Sequence, residues 1–357
     1  MSWLQITLLA LLAGFVVLLF VKGAWAVTYG RVVILALVAT IMMLPFAWLI
    51  TATVKDRTVL NEYTFLPPPN TWGKEYVQQG GDFVPLSEFS EVEQWNYVAA
   101  DRAAEAEAKK SQAIGAVGDV NDVVFTFVNF NNYRQLFAER ETVQGTVSFW
   151  RYVINSVFLA SATTIISLVF CSMGGYALAK YSFRGQGPIL TFMLASLTIP
   201  GVVLLAPNYE VIYRLGLMDT YWALIVPACV NAFGIFLFRQ ALLGVPKDLV
   251  EAGRIDGASE WSIYFKLAMP LVRPMTGAFC LITFLASWNN FLAPNIFLQS
   301  QTKLPLPVVL NQYIGEYTQQ YGVFLAGTLL AIIPPAILFF ALQKEFIAGL
   351  TSGAVKQ

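Results

Sequence analysis

The chain has 357 residues, of which 57% are hydrophobic and only 12% are charged, and its formal net charge is zero. Soluble domains carry about 25% charged residues, so this composition indicates an integral membrane protein and gives no sign of a nucleic-acid surface. The chain has no histidine, which excludes His-ligated metals, His-dependent nucleophiles and His proton relays. Cys171, Cys229 and Cys280 lie far apart in apolar stretches and are expected to be buried thiols.

Several apolar stretches are long enough to cross a bilayer, which takes about 20 residues in a helix. The sequence therefore predicts an all-α integral membrane protein with about seven transmembrane helices. The predicted spans are residues 3–21, 29–53, 152–178, 188–207, 220–243, 275–298 and 322–343. No basic segment precedes the first span and no clear small-residue cleavage site follows it, so we expect an uncleaved helix rather than a signal peptide.

Short loops that are rich in lysine and arginine stay on the cytoplasmic side of a membrane, so the distribution of these bases sets the expected orientation. Bases cluster in the loops after the first, third and fifth spans and in the C-terminal tail, whereas the opposite short loops carry only Arg214 and Lys303. We therefore expect the N-terminus outside and the C-terminus in the cytoplasm, which leaves residues 54–150 as an external insertion.

The insertion contains several predicted local structures. The proline run 67–69 favours an extended course, and residues 99–110 are rich in the helix formers Ala, Glu and Lys. Residues 115–122 are typical of a loop, and residues 123–130 of a strand or a docked aromatic segment. Two roles remain open for the insertion: a lid or partner contact, and a solvated segment with a structural role.

The stretch EAGRIDGASEWSIYFKLAMP, residues 251–270, is amphipathic although it lies between two predicted spans. Pro246 suits the start of a helix, and residues 247–256 are helical in character. Four apolar residues of this first helix can share part of one face: Leu249, Val250, Ala252 and Ile255.

Gly257 stands where a C-terminal cap needs a positive φ, and Ser259 can cap a second helix. Residues of the second helix that fall on one predicted apolar stripe are Trp261, Tyr264, Phe265 and Ala268. Pro270 and Pro274 are expected to end it before the next span. The pattern thus predicts a helix–Gly–helix unit, which is either a connector lying on the lipid surface or a docking element for a soluble partner.

This loop resembles the EAA loop of ATP-binding-cassette (ABC) importer permeases, whose pattern is Glu-Ala-Ala, three residues, Gly, nine residues, then Ile-x-Leu-Pro. Residues 251–253, Gly257 and residues 267–270 have the same spacing. Gly253 replaces the second alanine, and the last group carries apolar substitutes ahead of its proline.

Three other segments strengthen the resemblance. Residues 151–185 are similar to the start of the family's transmembrane domain. The sequence WNNFLAP (288–294) resembles the Trp-Asn-Glu-Phe-Leu signature of carbohydrate permeases, with Asn290 in place of Glu, and residues 345–357 resemble the tail of maltose-type permeases. The resemblance covers about residues 28–53 and 151–357.

The resemblance implies a multi-pass protein of a bacterial cytoplasmic (inner) membrane, with a six-helix permease core, an extra N-terminal helix and an external insertion. The implied regions are 1–27, the extra helix; 28–53, the first core helix; 54–150, the extracytoplasmic insertion; 151–345, the core permease domain with its coupling loop at 246–274; and 346–357, the cytoplasmic tail.

The resemblance also implies alternating access driven by other chains. The expected partners are a dimer of ATP-binding subunits, a second permease subunit that makes a heterodimer, an extracytoplasmic solute-binding protein and membrane lipid. ATP and Mg²⁺ would bind to the partner ATPase, since this chain has no GxxxxGK[ST] loop and is not expected to be an enzyme or to hold a cofactor. The residues implied in ATPase coupling are Glu251, Ala252, Gly253, Asp256, Gly257, Ala258 and Pro270.

Polar residues within spans usually face a cavity or a neighbouring helix, and amides suit hydroxyl-rich solutes because they both donate and accept. The candidates for a solute path are Asn155, Thr163, Thr164, Asn208, Asn231, Trp288, Asn289 and Asn290. The alternative for each is a hydrogen bond between helices, with no contact to solute.

The expected function is that of a permease subunit for sugar import, for oligosaccharides such as α-glucosides. Importers of another solute, such as a polyol or glycerol phosphate, share the same loop. A solitary channel or secondary carrier, and a membrane-embedded enzyme with its chemistry in the insertion, are the alternatives from other classes.

Overall fold

The computed structural model describes residues 24–56, 59–60, 62, 65–79, 82–113, 124–314 and 320–354, and most of these are helical. The predicted first span, 3–21, lies outside them. The helices are α1 Ala24–Thr53, α2 Glu91–Ala113, α3 Asn131–Phe137, α4 Phe149–Lys180, α5 Gln186–Ser196, α6 Leu205–Arg214, α7 Trp222–Ala228, α8 Ala232–Leu243, α9 Lys247–Ile255, α10 Glu260–Leu271, α11 Arg273–Trp288, α12 Leu292–Phe297, α13 Leu306–Gln312, α14 Tyr321–Ala331 and α15 Ile333–Ala354.

Three stretches of the described chain are long and apolar enough to cross a membrane as helices: Gly30–Thr53, Phe149–Lys180 and Tyr321–Gly349. Two bent pairs also have the required length and composition, α7 with α8 at 42° and α10 with α11 at 82°. Four of the predicted spans therefore have direct counterparts. The predicted span 275–298 is shorter than expected, because α11 ends at Trp288 and α12 follows as a separate helix.

The predicted span 188–207 is not one helix. Helix α5 ends at Ser196, and the chain makes short turns before α6 begins at Leu205. The hydroxyl groups of Ser196 and Thr198 each donate to a backbone carbonyl three residues earlier, at 2.7 Å. Pro200 has no N–H to continue an α-helical ladder, so the hydrophobic run is divided although its composition suits a span.

Close helix packing forms the core of the bundle, in which α4 contacts α8 and α11, and α11 contacts α15. At Gly175 a Cβ atom would lie only 2.6 Å from the Cβ of Phe238 on α8. Gly277 on α11 abuts Glu345 on α15 in the same way. Small residues at these points let the backbones approach, as is common between membrane helices.

The insertion contains an antiparallel sheet in the order β2-β1-β3, made of β1 Glu75–Gln79, β2 Asp82–Pro85 and β3 Phe125–Thr126. The buried rings of Tyr76, in β1, and Phe127, which follows β3, stack with their centroids 4.3 Å apart. The predicted helix 99–110 is confirmed within α2, and the predicted strand 123–130 contains β3. The predicted loop 115–122 lies outside the described residues.

The insertion is fixed to the end of α1 by the Asn132 amide, which donates to the carbonyl oxygen of Thr53, the last residue of α1, and to that of Lys55 just after it, both at 2.9 Å. A hairpin of β4 Arg140–Thr142 and β5 Gly145–Val147 then leads into α4. A helix of the length of α4, 32 residues, extends about 48 Å. The insertion leads into the start of this helix, and the loop 246–274 contacts its end, where Tyr181 bonds to Glu260. The insertion and the loop therefore lie at opposite ends of α4.

Candidate functional site

Helix α9 ends in a cap that only a few residue types allow. Gly257 has φ +76°, its N–H donates to the Arg254 carbonyl at 3.0 Å, and the Ala258 N–H donates to the Gly253 carbonyl at 2.9 Å. These two bonds make a Schellman motif, in which glycine adopts the left-handed conformation without a Cβ clash. The predicted glycine cap is confirmed, and it turns the chain sharply between α9 and α10.

The predicted N-cap of α10 is also confirmed, since the Ser259 hydroxyl accepts a hydrogen bond from the Ser262 N–H at 3.3 Å. The single apolar stripe predicted for this helix is wrong. Tyr264 is buried, whereas Trp261 and Phe265 are 59% and 57% exposed. Residues 263–268 form a π-helical turn, whose wider hydrogen-bond spacing moves side chains four residues apart off a common line.

Helix α9 has one face on the protein and one face outward. Val250 is buried, and Gly253 faces Ile263, where an added Cβ would lie 3.3 Å from the Ile263 Cγ1 atom. The other three apolar residues predicted to share a face with Val250 are exposed: Leu249, Ala252 and Ile255. That part of the prediction is wrong, because periodicity alone does not say which side of a short amphipathic helix is covered.

The predicted coupling residues lie mostly on the outward side. Glu251, Asp256 and Pro270 are exposed, and Ala258 is half-buried. The Glu251 carboxylate forms no hydrogen bond or ion pair with the described residues. Pro270 lies one residue before the end of α10, and the 82° bend to α11 follows at Val272.

Helix α4 is joined to this helix pair by polar bonds at its end. The Lys180 ammonium donates to the Val245 carbonyl at 2.6 Å, and the Tyr181 hydroxyl donates to the Glu260 carboxylate at 2.6 Å. Burial and the hydrogen bond to the Glu260 anion raise the pKa of Tyr181 to about 12. The tyrosine is therefore a hydroxyl donor throughout the neutral range.

A cavity of about 300 Å³ lies within the bundle, between α4, α8 and α11. Its polar lining residues are Ser156, Thr163, Asn231, Thr283, Ser287 and Asn290. None of the residues that line it is charged. The cavity therefore presents hydroxyl and amide groups on an apolar background, a combination suited to a neutral, hydroxyl-bearing molecule.

Some polar groups of the cavity form hydrogen bonds to other described residues, and some do not. The Asn231 side chain accepts from the Gly234 N–H at 2.6 Å and donates to the Ser167 hydroxyl at 3.1 Å, so it also caps α8. The hydroxyl groups of Thr163, Thr283 and Ser287 form no hydrogen bond with the described residues. These three hydroxyls are the groups most available to a bound molecule.

Of the eight predicted solute-path residues, Thr163, Asn231 and Asn290 line this cavity. The Thr164 hydroxyl donates to the Ala160 carbonyl within α4 at 2.7 Å. Asn155 turns away and donates to the carbonyl oxygens of Thr302 and Leu304, at 2.9 and 3.0 Å. Trp288 is 4% exposed and stacks on the Phe284 ring at 5.7 Å.

Asn208 is half-buried on α6, and Asn289 is exposed at the end of α11; neither lines the cavity. Thr283 and Ser287, which also line the cavity, were not among the predicted residues. Their i, i+4 spacing within one apolar helix was the available signal for a polar stripe.

The family description "Binding-protein-dependent transport system inner membrane component" matches residues 171–350. The chain is 42% identical over 208 residues to the arabinooligosaccharides transport system permease protein AraQ of Halalkalibacterium halodurans, covering 58% of this chain and 75% of the relative. It is 37% identical over 248 residues to AraQ of Bacillus subtilis, covering 70% and 86%.

In overall fold the chain is similar to a chain of a bacterial ABC transporter involved in the import of the acidic polysaccharide alginate. The TM-score is 0.63 at 21% identity, with 91% of this chain and 99% of that chain covered. The chain belongs to the family of binding-protein-dependent transport system inner membrane components. It is a multi-pass membrane permease subunit of the ABC importer type, not an enzyme, which confirms the resemblance drawn from the EAA-like loop.

Proposed function

We propose that this chain is the permease subunit of an ATP-driven importer of neutral oligosaccharides, working by alternating access with separate ATPase subunits. The observation that carries the proposal is the uncharged, hydroxyl- and amide-lined cavity, joined through α4 to an exposed helix pair. The cavity supplies a place for cargo, and the helix pair supplies a surface on which a partner can act.

The exposed surface of α9 and α10 is proposed to dock on an ATP-binding subunit. Ile255 is 85% exposed, and Leu249, Trp261 and Phe265 add further apolar area beside the exposed Glu251 side chain. A helix that lies on an anionic membrane usually carries mainly bases on its polar face, whereas the exposed charges here are mixed: Asp248, Glu251 and Asp256 accompany Lys247, Arg254 and Lys266. A protein groove therefore suits this surface better than lipid.

ATP and Mg²⁺ are proposed to bind to that partner, two copies of which would serve two permease subunits. The second permease is proposed to be a different chain. We further propose the orientation that follows from the distribution of bases, with the N-terminus and the 54–150 insertion outside and the C-terminus in the cytoplasm. An extracytoplasmic binding protein would then deliver cargo at the end of α4 that carries the insertion.

The cavity chemistry favours a neutral saccharide over a glycerol phosphate. A phosphate would need basic side chains or a cluster of N–H donors, and the residues that line the cavity include no base. The AraQ relatives are named for arabinooligosaccharides, and a relative at 33% identity is named for lactose. These names support oligosaccharides as a class and give no preference for α-glucosides.

The proposal is tested in two steps. The tagged chain is purified in mild detergent, and co-purifying proteins are identified by mass spectrometry; the proposal expects an ATP-binding subunit and a second permease. The complex is then reconstituted with its binding protein and ATP, and uptake of labelled arabinotriose, maltotriose, lactose and glycerol 3-phosphate is compared. Recovery of a chain that transports without an ATPase would contradict the proposed partners. Uptake of glycerol 3-phosphate alone would contradict the proposed class of cargo.

A further inference from the structure

The Glu260 carboxylate is shared by three segments of the chain. One oxygen, Oε2, accepts from the Tyr181 hydroxyl that follows α4, at 2.6 Å. The other, Oε1, accepts from the Arg254 Nε–H of α9 at 2.7 Å, and Arg254 Nη2 lies 3.3 Å from Oε2. Glu260 itself begins α10. One side chain thus joins the end of α4, the end of α9 and the start of α10.

Aromatic and hydroxyl contacts extend this junction along the last turns of α4. Tyr176 packs edge-on against Tyr181 at 5.9 Å and against Tyr264 of α10 at 5.3 Å. The Tyr264 and Ser172 hydroxyls share a buried hydrogen bond of 2.6 Å. The junction therefore includes buried packing contacts between α4 and α10 as well as the exposed ion pair.

The same helix forms a wall of the cavity at its other end. Ser156, Leu159 and Thr163 line the cavity from α4, and Ser167 of α4 is bonded to the cavity residue Asn231. Since α4 is one unbroken helix of 32 residues, a shift of its Tyr181 end is transmitted along its axis.

We propose that Glu260 is a positioning residue that transmits movement of α9 to α4, and through α4 to the cavity wall. Arg254 and Tyr181 are its two ligands, one on each moving part. The inference rests on the proposed function, because it needs a partner that moves α9 when ATP is bound and hydrolysed.

The ion pair between Glu210 and Arg214 supplies a matched control. Its Nε–Oε1 distance is 2.6 Å, against 2.7 Å for Arg254 and Glu260. It lies within α6, however, and joins no second element. If any exposed ion pair of this chain had the same effect on coupling, Glu210→Gln would reproduce it.

The test measures coupling without relying on knowledge of the cargo. Ser287→Cys places a reporter thiol in the cavity, and the complex with its ATPase is held in nanodiscs. The rate at which N-ethylmaleimide labels this thiol is measured with and without MgATP, beside the rate of phosphate release. The chain without the added cysteine gives the background from Cys171, Cys229 and Cys280.

In the parent complex MgATP should change the labelling rate. With Glu260→Gln, the labelling change per ATP hydrolysed should fall about threefold to tenfold, since the three hydrogen bonds to the carboxylate lose its charge and one accepting oxygen becomes an NH2 donor. Tyr181→Phe should lower it less, and Glu210→Gln should leave it unaltered. The paired exchange Arg254→Glu with Glu260→Arg should recover part of what either single exchange loses.

The outcomes separate the two proposals. A parent complex that binds no ATPase, or in which MgATP leaves labelling unchanged, contradicts the proposed function. If MgATP changes labelling in the parent complex, and changes it equally per ATP hydrolysed in the Glu260→Gln complex, the proposed role of Glu260 is contradicted and the proposed function is not. No recovery in the paired exchange, with both single exchanges impaired and all complexes assembled, would also contradict it.

Discussion

The Asp219 carboxylate lies 2.9 Å from the Lys303 ammonium group and also accepts hydrogen bonds from the backbone N–H groups of Gln299 and Ser300. Asp219 precedes α7, and its partners follow α12, so this cluster joins two loops that are distant in sequence. The residue adopts φ +56°, a conformation that Asp and Asn tolerate better than other non-glycine residues. Both its charge and its backbone conformation therefore suit this site.

We expect Asp219→Ala to lower the free energy of unfolding by about 1–3 kcal/mol, because it leaves backbone donors unpaired and retains the left-handed conformation. Asp219→Asn should cost less, since an amide oxygen still accepts and Asn tolerates positive φ. Thermal unfolding in detergent measures both. Glu210→Gln, which removes an exposed ion pair within α6, is the control and should shift the midpoint very little. Equal stability of the alanine variant and the parent would contradict a structural role for this cluster.

The acid sensitivity of the same cluster follows from the pKa of Asp219. Burial opposes its ionisation, but the hydrogen bonds from Ser300 and Lys303 outweigh burial and hold the pKa well below its usual range. A carboxyl group with a lowered native pKa stabilises the fold fully above its unfolded value of about 3.9, and this contribution is lost as the pH falls further. The stability difference between the parent and Asp219→Asn should therefore stay constant from pH 8 to about pH 5 and shrink below about pH 4. A difference that shrinks already at pH 6 would show that another group dominates.

Local rules predicted the turns of the coupling loop well, and they predicted its exposed faces poorly. The requirement for glycine at position 257 and for a hydroxyl at position 259 is local, because cap geometry involves only neighbouring backbone groups. The exposure of Trp261 and Phe265 depends on a π-helical turn and on what α4 covers, which no periodicity within α10 reveals. Contacts with other helices therefore determine which faces of this loop are buried and which are exposed.

The cavity shows the same division. Hydropathy correctly placed asparagines in the membrane domain, but it did not distinguish Asn155, which bonds to backbone carbonyls, from Asn290, which lines the cavity. The direction of a side chain around a helix axis depends on the positions of neighbouring helices. Likewise, residues 188–207 have the composition of a span, and only the turns around Pro200 show that they form two helices.

The cap of α9 provides a specific test of the docking surface. Gly257→Ala should strain the cap by about 1–2 kcal/mol, because φ is positive although no atom would touch the added Cβ. Gly257→Asn should be milder, since Asn accepts this conformation. Co-purification with the ATPase subunit and ATP-driven uptake measure the effect. Gly187→Ala, at a helical position with open space around it, is the control.

In this test uptake should fall in the order parent, Asn variant, Ala variant, with the protein still present in the membrane. An alanine variant that assembles and transports like the parent would show that the orientation of α9 relative to α10 is unimportant for coupling.

The free hydroxyls of the cavity should contribute directly to cargo affinity. Thr283→Val preserves the shape of the side chain and removes a hydroxyl that has no partner in the described chain. The loss of one neutral hydrogen bond, worth about 0.5–1.5 kcal/mol, should raise the half-saturating cargo concentration roughly twofold to tenfold. Uptake of whichever trisaccharide the complex accepts is measured over a range of concentrations of cargo-loaded binding protein.

Thr328→Val is the control for this substitution, because the Thr328 hydroxyl donates to the Phe324 carbonyl within α14 and lies outside the cavity. An unchanged dependence on cargo in Thr283→Val, with a normal maximal rate, would indicate that the solute passes through this chain without using that hydroxyl.

The close contact of α4 with α8 predicts opposite results for two adjacent glycines. An alanine Cβ at position 175 would lie 2.6 Å from the Phe238 Cβ and 2.8 Å from the Arg239 backbone nitrogen, so the helices must separate. At position 174 the nearest atom is 3.3 Å away, on the Ile235 side chain, which can move. Gly175→Ala should cost about 1–3 kcal/mol through overpacking, and Gly174→Ala much less. Unfolding midpoints in detergent decide between them, and equal midpoints would mean that α4 and α8 are not packed so closely in the membrane.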